Sequence, residues 1–413
     1  MSAVSGLGRI MSGGAFLTGG ALVQAGLGLV AQLVLMRQLI PEDFGRFAVV
    51  LAVCGLVQMV LSLRLNALII RVPDQEMTPE RRDRYRAALL WETVASTVVT
   101  LVWLAVSDLM SPFALMLVAS LSLGQWSNQT VAFYERRMAY GRIVMVEAGS
   151  QILGHALAVG LVLSGVGAAA LYLRELMVAV IRLAAFARIG ALSTPLWRSL
   201  SMADWRLLIA EARAIWVDGV LESGLARMIV LGASALGGAH GTGIFAQSQR
   251  LATIPHQVLA PVVVRMSANL FSRIQDKTAR LALLFRLTLF TLSGLAVAAV
   301  AAAILAEPLI PPLLGEHWRP ASKVVVAMSG VIIFFSSFEL LRAYCVTQHR
   351  MGVLLAARLS QYAVFLTALG IAARADDPMM ALALGLSATY GVSFGVAAFG
   401  LSRQAAVPKG SAL

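Results

Sequence analysis

The sequence predicts an all-α, polytopic membrane protein of about twelve transmembrane helices in two pseudo-symmetric six-helix bundles, and three observations predict it. First, the 413 residues are 59% hydrophobic and 13% charged, with a mean hydropathy of +0.81. Soluble domains carry roughly a quarter charged residues. Second, the apolar residues fall in stretches of about 20, the length a helix needs to cross a hydrocarbon core roughly 30 Å thick. Third, Lys and Arg collect in alternate connections between those stretches. An ordinary soluble enzyme is excluded. The net charge of +12 and the pI near 10.6 would point to nucleic acid in a soluble chain; here they follow from topology, and no nucleic-acid partner is expected.

Apolar stretches punctuated by Pro, Gly and charge place the first six spans at about 13–36, 44–69, 87–107, 112–133, 143–163 and 168–187. The first has no short apolar region ending in a cleavage site, so it is expected to be retained. Pro41 and Gly45 suit a tight turn before the second, with Glu42 and Asp43 favourable in its first turn. An arginine cluster from Arg81 to Arg86 precedes the third, and Arg136 and Arg137 close the fourth. The second six lie at about 214–236, 243–270, 281–306, 324–346, 352–373 and 378–401. A proline-rich outer connection, Glu307 to Lys323, precedes the tenth span.

With the N-terminus inside, nineteen Lys and Arg fall in cytoplasmic connections and five in outer ones, which orients both termini to the cytoplasm. The domains expected are residues 1–190, an N-terminal bundle; 191–213, a cytoplasmic linker; and 214–413, a C-terminal bundle. Within the linker Trp205, Leu208, Ile209 and Ala212 share one helical face, the pattern of an interfacial amphipathic helix. The outer connections are too short for an extracytoplasmic catalytic domain. Cys54 and Cys345 lie inside apolar stretches without metal-ligand spacing, so no disulfide, metal or cofactor is expected.

An internal repeat supports two halves. At an offset of 198, Gly26-Leu27 matches Gly224-Leu225, and Gly45, Phe47 and Ala48 match Gly243, Phe245 and Ala246. Duplicated bundles are a common plan for transporters.

Three motifs carry a family resemblance. Arg37 to Ala48 (RQLIPEDFGRFA) resembles the loop between the first two spans of bacterial polysaccharide flippases, a branch of the multidrug/oligosaccharidyl-lipid/polysaccharide exporter superfamily. Gly241 to Pro255 (GTGIFAQSQRLATIP) is similar to the family's eighth-span stretch, and Leu314 to Ala321 (LGEHWRPA) to the segment before its tenth. The resemblance implies flipping of polyprenyl-pyrophosphate-linked oligosaccharide from the cytoplasmic to the periplasmic leaflet of a bacterial inner membrane, during exopolysaccharide, capsule or O-antigen assembly. A polysaccharide polymerase and export machinery are the partners it implies.

Charges inside spans are the candidate site, because each costs at least about 2.5 to 3.5 kcal/mol at the bilayer centre unless it faces a cavity or a partner. Arg174, Arg227 and Arg250 lie too deep to reach headgroups easily, and forked guanidinium donors match phosphate oxygens. Gln247, Arg250, Gln257 and Arg265, with Pro261, form a polar stripe on the eighth span. Arg174, Arg227, Arg250, Gln247 and Gln257 are therefore expected to bind pyrophosphate; Asp218, Glu222 and Glu175 are candidates for ion coupling. Arg64, Glu92, Arg265, Arg286, Glu339 and Arg342, near cytoplasmic ends, are read as snorkelling or paired residues. No catalytic residue is expected. A drug/ion antiporter of the same architecture would present an acidic cavity, whereas nine arginines face six acids within spans. A membrane glycosyltransferase is opposed by the short outer loops.

Overall fold

The structure, a computed structural model, describes residues 26–136, 140–259, 267, 271, 274, 276–348 and 350–406. Pro261, Arg265 and the start of the first expected span lie outside the described residues. Every element among them is helical: α1 (26–38), α2 (Pro41–Leu61), α3 (Leu65–Arg71), α4 (Pro79–Val106), α5 (Pro112–Glu135), α6 (Tyr140–Leu163), α7 (Ala169–Arg188), α8 (Met202–Ala252), α9 (Ile254–Leu259), α10 (Lys277–Leu314), α11 (Arg319–Ala327), α12 (Ser329–Thr347), α13 (Met351–Ala372) and α14 (Pro378–Ala406). Eight helices among the described residues are long and apolar enough to cross a membrane. The long helices α5 and α7 are not among them, and both carry polar side chains on one face.

The starts follow local chemistry. Pro41, Pro79 and Pro112 occupy first-turn positions, where their missing N–H costs nothing. Thr78 accepts from the Arg81 N–H at 3.2 Å and Ser111 from the Ala114 N–H at 3.1 Å, capping α4 and α5.

Three expected spans differ in form. The second is broken: Ser62–Arg64 interrupt it, with Arg64 at φ 53 and ψ 40, in the left-handed region. The seventh and the start of the eighth form one long α8, bent at Gly238, whose φ of 58 and ψ of −159 only glycine adopts readily. The proline-rich connection is mostly helix, since α10 runs through Pro308, Pro311 and Pro312. These prolines lie in its last two turns, where each removes one N–H bond to the carbonyl four residues before it, and Gly315 at φ 109 ends it by donating to the Pro311 carbonyl at 2.8 Å. The tenth span is divided at Met328 into α11 and α12.

The chain packs as two compact units. Unit 1 holds residues up to Leu39 and Phe47–Leu231; unit 2 holds Ile40–Arg46 and those from Gly232 on. In unit 1, α5 packs against α3, α4 and α7, and α6 against α7. Gly154 makes the last contact close, because a Cβ there would strike Val178. Leu208 and Ala212 at the start of α8 are buried with Leu65, Ile69, Tyr85 and Leu89, while Ile209 is exposed. Burying such a Leu or Ile from water stabilises by roughly 1.5–3 kcal/mol. Arg84 to Asp204 at 2.7 Å, Arg81 to Glu211 at 3.0 Å and the Tyr85 hydroxyl to Glu211 at 2.9 Å tie that stretch to α4.

In unit 2, α14 packs against α12 and α13, and α10 against α11 and α12. The first turn of α2 belongs here. A Cβ on Gly45 would collide with the Ala239 carbonyl, and one on Gly243 with the Pro41 carbonyl. Glu42 and His240 meet at 2.6 Å. Since 41/239, 42/240 and 45/243 are each 198 apart, the contacts of Gly45 with Ala239 and of Gly243 with Pro41 are reciprocal and 42 meets its own equivalent, the signature of a local two-fold relation.

Candidate translocation cavity

Unit 1 holds an open cavity of 460 Å³ whose walls come from α2, α3, α5, α6, α7 and α8. The spacing of the lining residues explains how. Gly55, Gln58, Met59 and Ser62 recur at helical spacing on α2 and the break after it; Leu121, Gly124, Gln125, Asn128 and Gln129 do so on α5. Glu175, Val178, Ala179 and Arg182 line one face of α7, and Ser223 and Arg227 one face of α8. Each helix turns its polar stripe inward and leaves apolar side chains for lipid.

Three arginines line this space, and each lies across a glycine. A Cβ on Gly55 would sit 2.7 Å from the Arg227 Cζ and Nε; one on Gly124 would sit 3.1 Å from an Arg182 Nη; one on Gly219 would overlap the Arg64 guanidinium. The missing side chains let the cations lie against helix backbone. Arg64 donates to the Ser223 hydroxyl at 3.0 Å and to the Gly219 carbonyl at 3.4 Å. Arg182 and Arg227 make neither a hydrogen bond nor an ion pair among the described residues, and the Arg182 Nε is buried. Among the described residues Glu175 is the only carboxylate in the lining, and Arg174 holds it at 3.0 Å while reaching Gln151 at 3.4 Å. The cavity is cationic.

The break in α2 positions Arg64. Glu92, buried in α4, accepts the Leu63 N–H at 3.1 Å and a Gln129 amide N–H at 3.1 Å, and Gln129 also donates to Ser62 at 3.3 Å. These bonds satisfy backbone that a continuous helix would have satisfied itself, which is how irregular backbone is tolerated in a membrane.

Of the residues expected from the sequence, Arg227 and Glu175 line the cavity and Arg174 stands behind Glu175. Gln247 is buried while Arg250 and Gln257 are exposed; all three belong to unit 2, outside this lining. The side chains of Asp218 and Glu222 lie outside the described residues. Sequence reasoning missed Arg64 and Arg182. Arg182 stands seven residues from Glu175, on the same face, and that spacing was the available signal. A second charged group lies in unit 2, where Glu339 is 3.4 Å from Arg342 and 3.7 Å from Arg358. Arg358 also reaches Gln361 at 3.2 Å and covers Phe338; these are mutually neutralising pairs, the role read for Glu339 and Arg342.

Comparison with known proteins gives a family and a fold. The family described as "Polysaccharide biosynthesis protein" matches residues 34–323. No curated protein matches the sequence. Among solved structures, the lipid II flippase MurJ in an inward closed conformation superposes with a TM-score of 0.70 at 11% identity, covering 94% of this chain and 87% of its own. An inward-facing MATE-family multidrug resistance transporter of the MOP superfamily gives 0.63 at 13% identity over 94% and 96%. A Vibrio cholerae MATE transporter gives 0.53 at 12% identity over 94% of each chain. At these identities the likeness is one of fold, and with its long apolar helices the chain is a multi-pass helical membrane protein.

Proposed function

The chain belongs to the polysaccharide biosynthesis protein family, and we propose that it carries a polyprenyl-pyrophosphate-linked oligosaccharide from the cytoplasmic to the periplasmic leaflet by alternating access. One observation carries this reading: Arg64, Arg182 and Arg227, each laid across a glycine, line a 460 Å³ cavity, and the latter two make no direct ion pair or hydrogen bond among the described residues, Glu147 and Glu175 acting on Arg182 only at a distance. Guanidinium groups held in a membrane interior without a direct ion pair are costly. A diphosphate offers the charge and the paired oxygens that would offset that cost. The volume lies within the roughly 300–1,000 Å³ typical of small-molecule sites; it suits the diphosphate and the first part of the glycan, with the polyprenyl chain left in lipid.

The barrier being lowered is the passage of pyrophosphate and sugar hydroxyls through hydrocarbon. Glu175 supplies a route to ion coupling. A diphosphate bound to Arg182 and drawing on Arg174 would loosen the hold on Glu175 and free it to exchange an ion; Asp218 and Glu222 are further candidates on α8. A cavity lined by three arginines does not suit a cationic drug.

The test uses full-length protein in sealed vesicles containing a polyprenyl-diphosphate oligosaccharide, with inward transfer followed by loss of accessibility to a lectin. Wild type should transfer it, and Arg182→Ala or Arg227→Ala should each slow transfer by about tenfold or more, the loss expected for one charge-assisted contact. Equal rates in wild type and both variants would remove the cavity from the mechanism.

A further inference from the structure

A second pocket, apart from the cavity, is set among the first turns of α4 and the segment after α7. It measures 470 Å³ and is lined by Arg82, Asp83, Arg86, Leu192, Ser193 and Thr194 among others. The arginine cluster Arg81–Arg86 does not enter it uniformly. Arg81 is held by Glu76 at 3.1 Å and Glu211 at 3.0 Å, and Arg84 by Asp204 at 2.7 Å. Arg86 is saturated, bonding Asp83 at 2.9 Å and the Thr194 carbonyl at 2.9 and 3.2 Å. That pairing also neutralises Asp83. Arg82 is different: among the described residues it makes no ion pair and no hydrogen bond, and its guanidinium lies over the Phe133 ring at 5.7 Å. The Ser193 hydroxyl, in the same lining, has no hydrogen-bond partner among the described residues.

We propose that this pocket binds a phosphate group, with Arg82 as the charged ligand and Ser193 as a neutral donor reached by rotation of its hydroxyl. The charge distribution along the chain sets the pocket at the cytoplasmic surface. Nine residues beyond Arg82 along α4, about 13.5 Å, Trp91 packs edge-on against the exposed Trp197 at 6.0 Å and donates to the Arg198 carbonyl at 3.0 Å. Paired tryptophans mark the headgroup level of a bilayer, so the phosphates of an inner-leaflet lipid lie within reach; a soluble phosphate compound supplies the same chemistry. The site is independent of the cargo.

The test titrates full-length protein in neutral detergent with phosphatidylglycerol, phosphatidylcholine or inorganic phosphate and follows the unfolding midpoint. Phosphatidylglycerol should raise it saturably and phosphatidylcholine should not; Arg82→Ala should weaken the apparent affinity about tenfold, and Ser193→Ala less. Arg206→Ala, an exposed arginine of α8 outside the lining, should behave as wild type. Protection by inorganic phosphate that is lost in Arg82→Ala would assign the site to a soluble ligand. Should Arg82→Ala fail to fold, Ser193→Ala carries the test. Superimposable titrations for wild type and the variants, or no shift with either phosphate source, would overturn the proposal.

Discussion

Arg64 shows in a single residue how strain and function are joined. Its left-handed backbone costs of order 1–3 kcal/mol for a side chain with a Cβ, and the residue type that relieves it is glycine. Arginine there turns its guanidinium to Ser223 and Gly219 at the cavity wall. Arg64→Gly is therefore expected to unfold at the same temperature as wild type or a few degrees higher while transporting more slowly. Thermal unfolding and vesicle transfer, measured on one preparation, check both directions; a fall in stability with unchanged transfer would show that the side chain serves folding. Neither this strain nor the glycine seats could be read from the sequence. An arginine near a cytoplasmic end looks like any snorkelling residue, and Gly219 is 155 positions from Arg64, so their meeting is a matter of tertiary packing.

At the scale of elements, the closest approach in unit 2 is between the first turn of α2 and α8 beyond Gly238. Gly243→Ala puts a methyl into the Pro41 carbonyl, and Gly45→Ala repeats the collision with Ala239. Neither carbonyl can yield without shifting a helix. Each single variant should be strongly destabilised, and the double variant should lose less than the sum, because the first collision already parts the helices. Additive losses, read from unfolding midpoints, would contradict that. The repeat's register was legible in short identities at an offset of 198; the contact between equivalent positions was not, since one chain shows periodicity and no pairing.

The start of α8 makes a pH-dependent prediction. Asp204 accepts from the Ser201 hydroxyl at 2.8 Å and its N–H at 3.1 Å and faces Arg84, and these hold its carboxyl below the usual range. A lowered folded pKa contributes stability that is present above the unfolded value and lost as pH falls through the folded one. Asp204→Asn should lower the unfolding midpoint at neutral pH, and the difference should close on acidification below the carboxylate range. A gap that persists there would assign the effect to packing.

Across the whole molecule, length, hydropathy and charge asymmetry were enough to reach the fold, because in lipid nearly every backbone group must be satisfied within its own helix and long apolar stretches have one solution. Departures came where local rules compete. Pro308, Pro311 and Pro312 read as a loop but sit in the closing turns of α10, and the polar residues of α5 and α7 that lower their apolarity are the ones that build the cavity. The cationic lining was legible in kind, as an excess of arginine over acid within spans; its membership was not, since Arg182 joins Arg227 through α7 and α8 while Gln247, Arg250 and Gln257 fall elsewhere. The central claim is that this cavity moves a lipid-linked diphosphate across the membrane. Its most direct test is leaflet-resolved mass spectrometry of lipid-linked glycans in cells depleted of the protein and complemented with wild type or with Arg182→Ala/Arg227→Ala. The account predicts a polyprenyl-pyrophosphate oligosaccharide accumulating on the cytoplasmic leaflet, cleared by wild type and left in place by the variant at equal protein level. Absence of any such accumulation, or clearance by the variant as complete as by wild type, would contradict it.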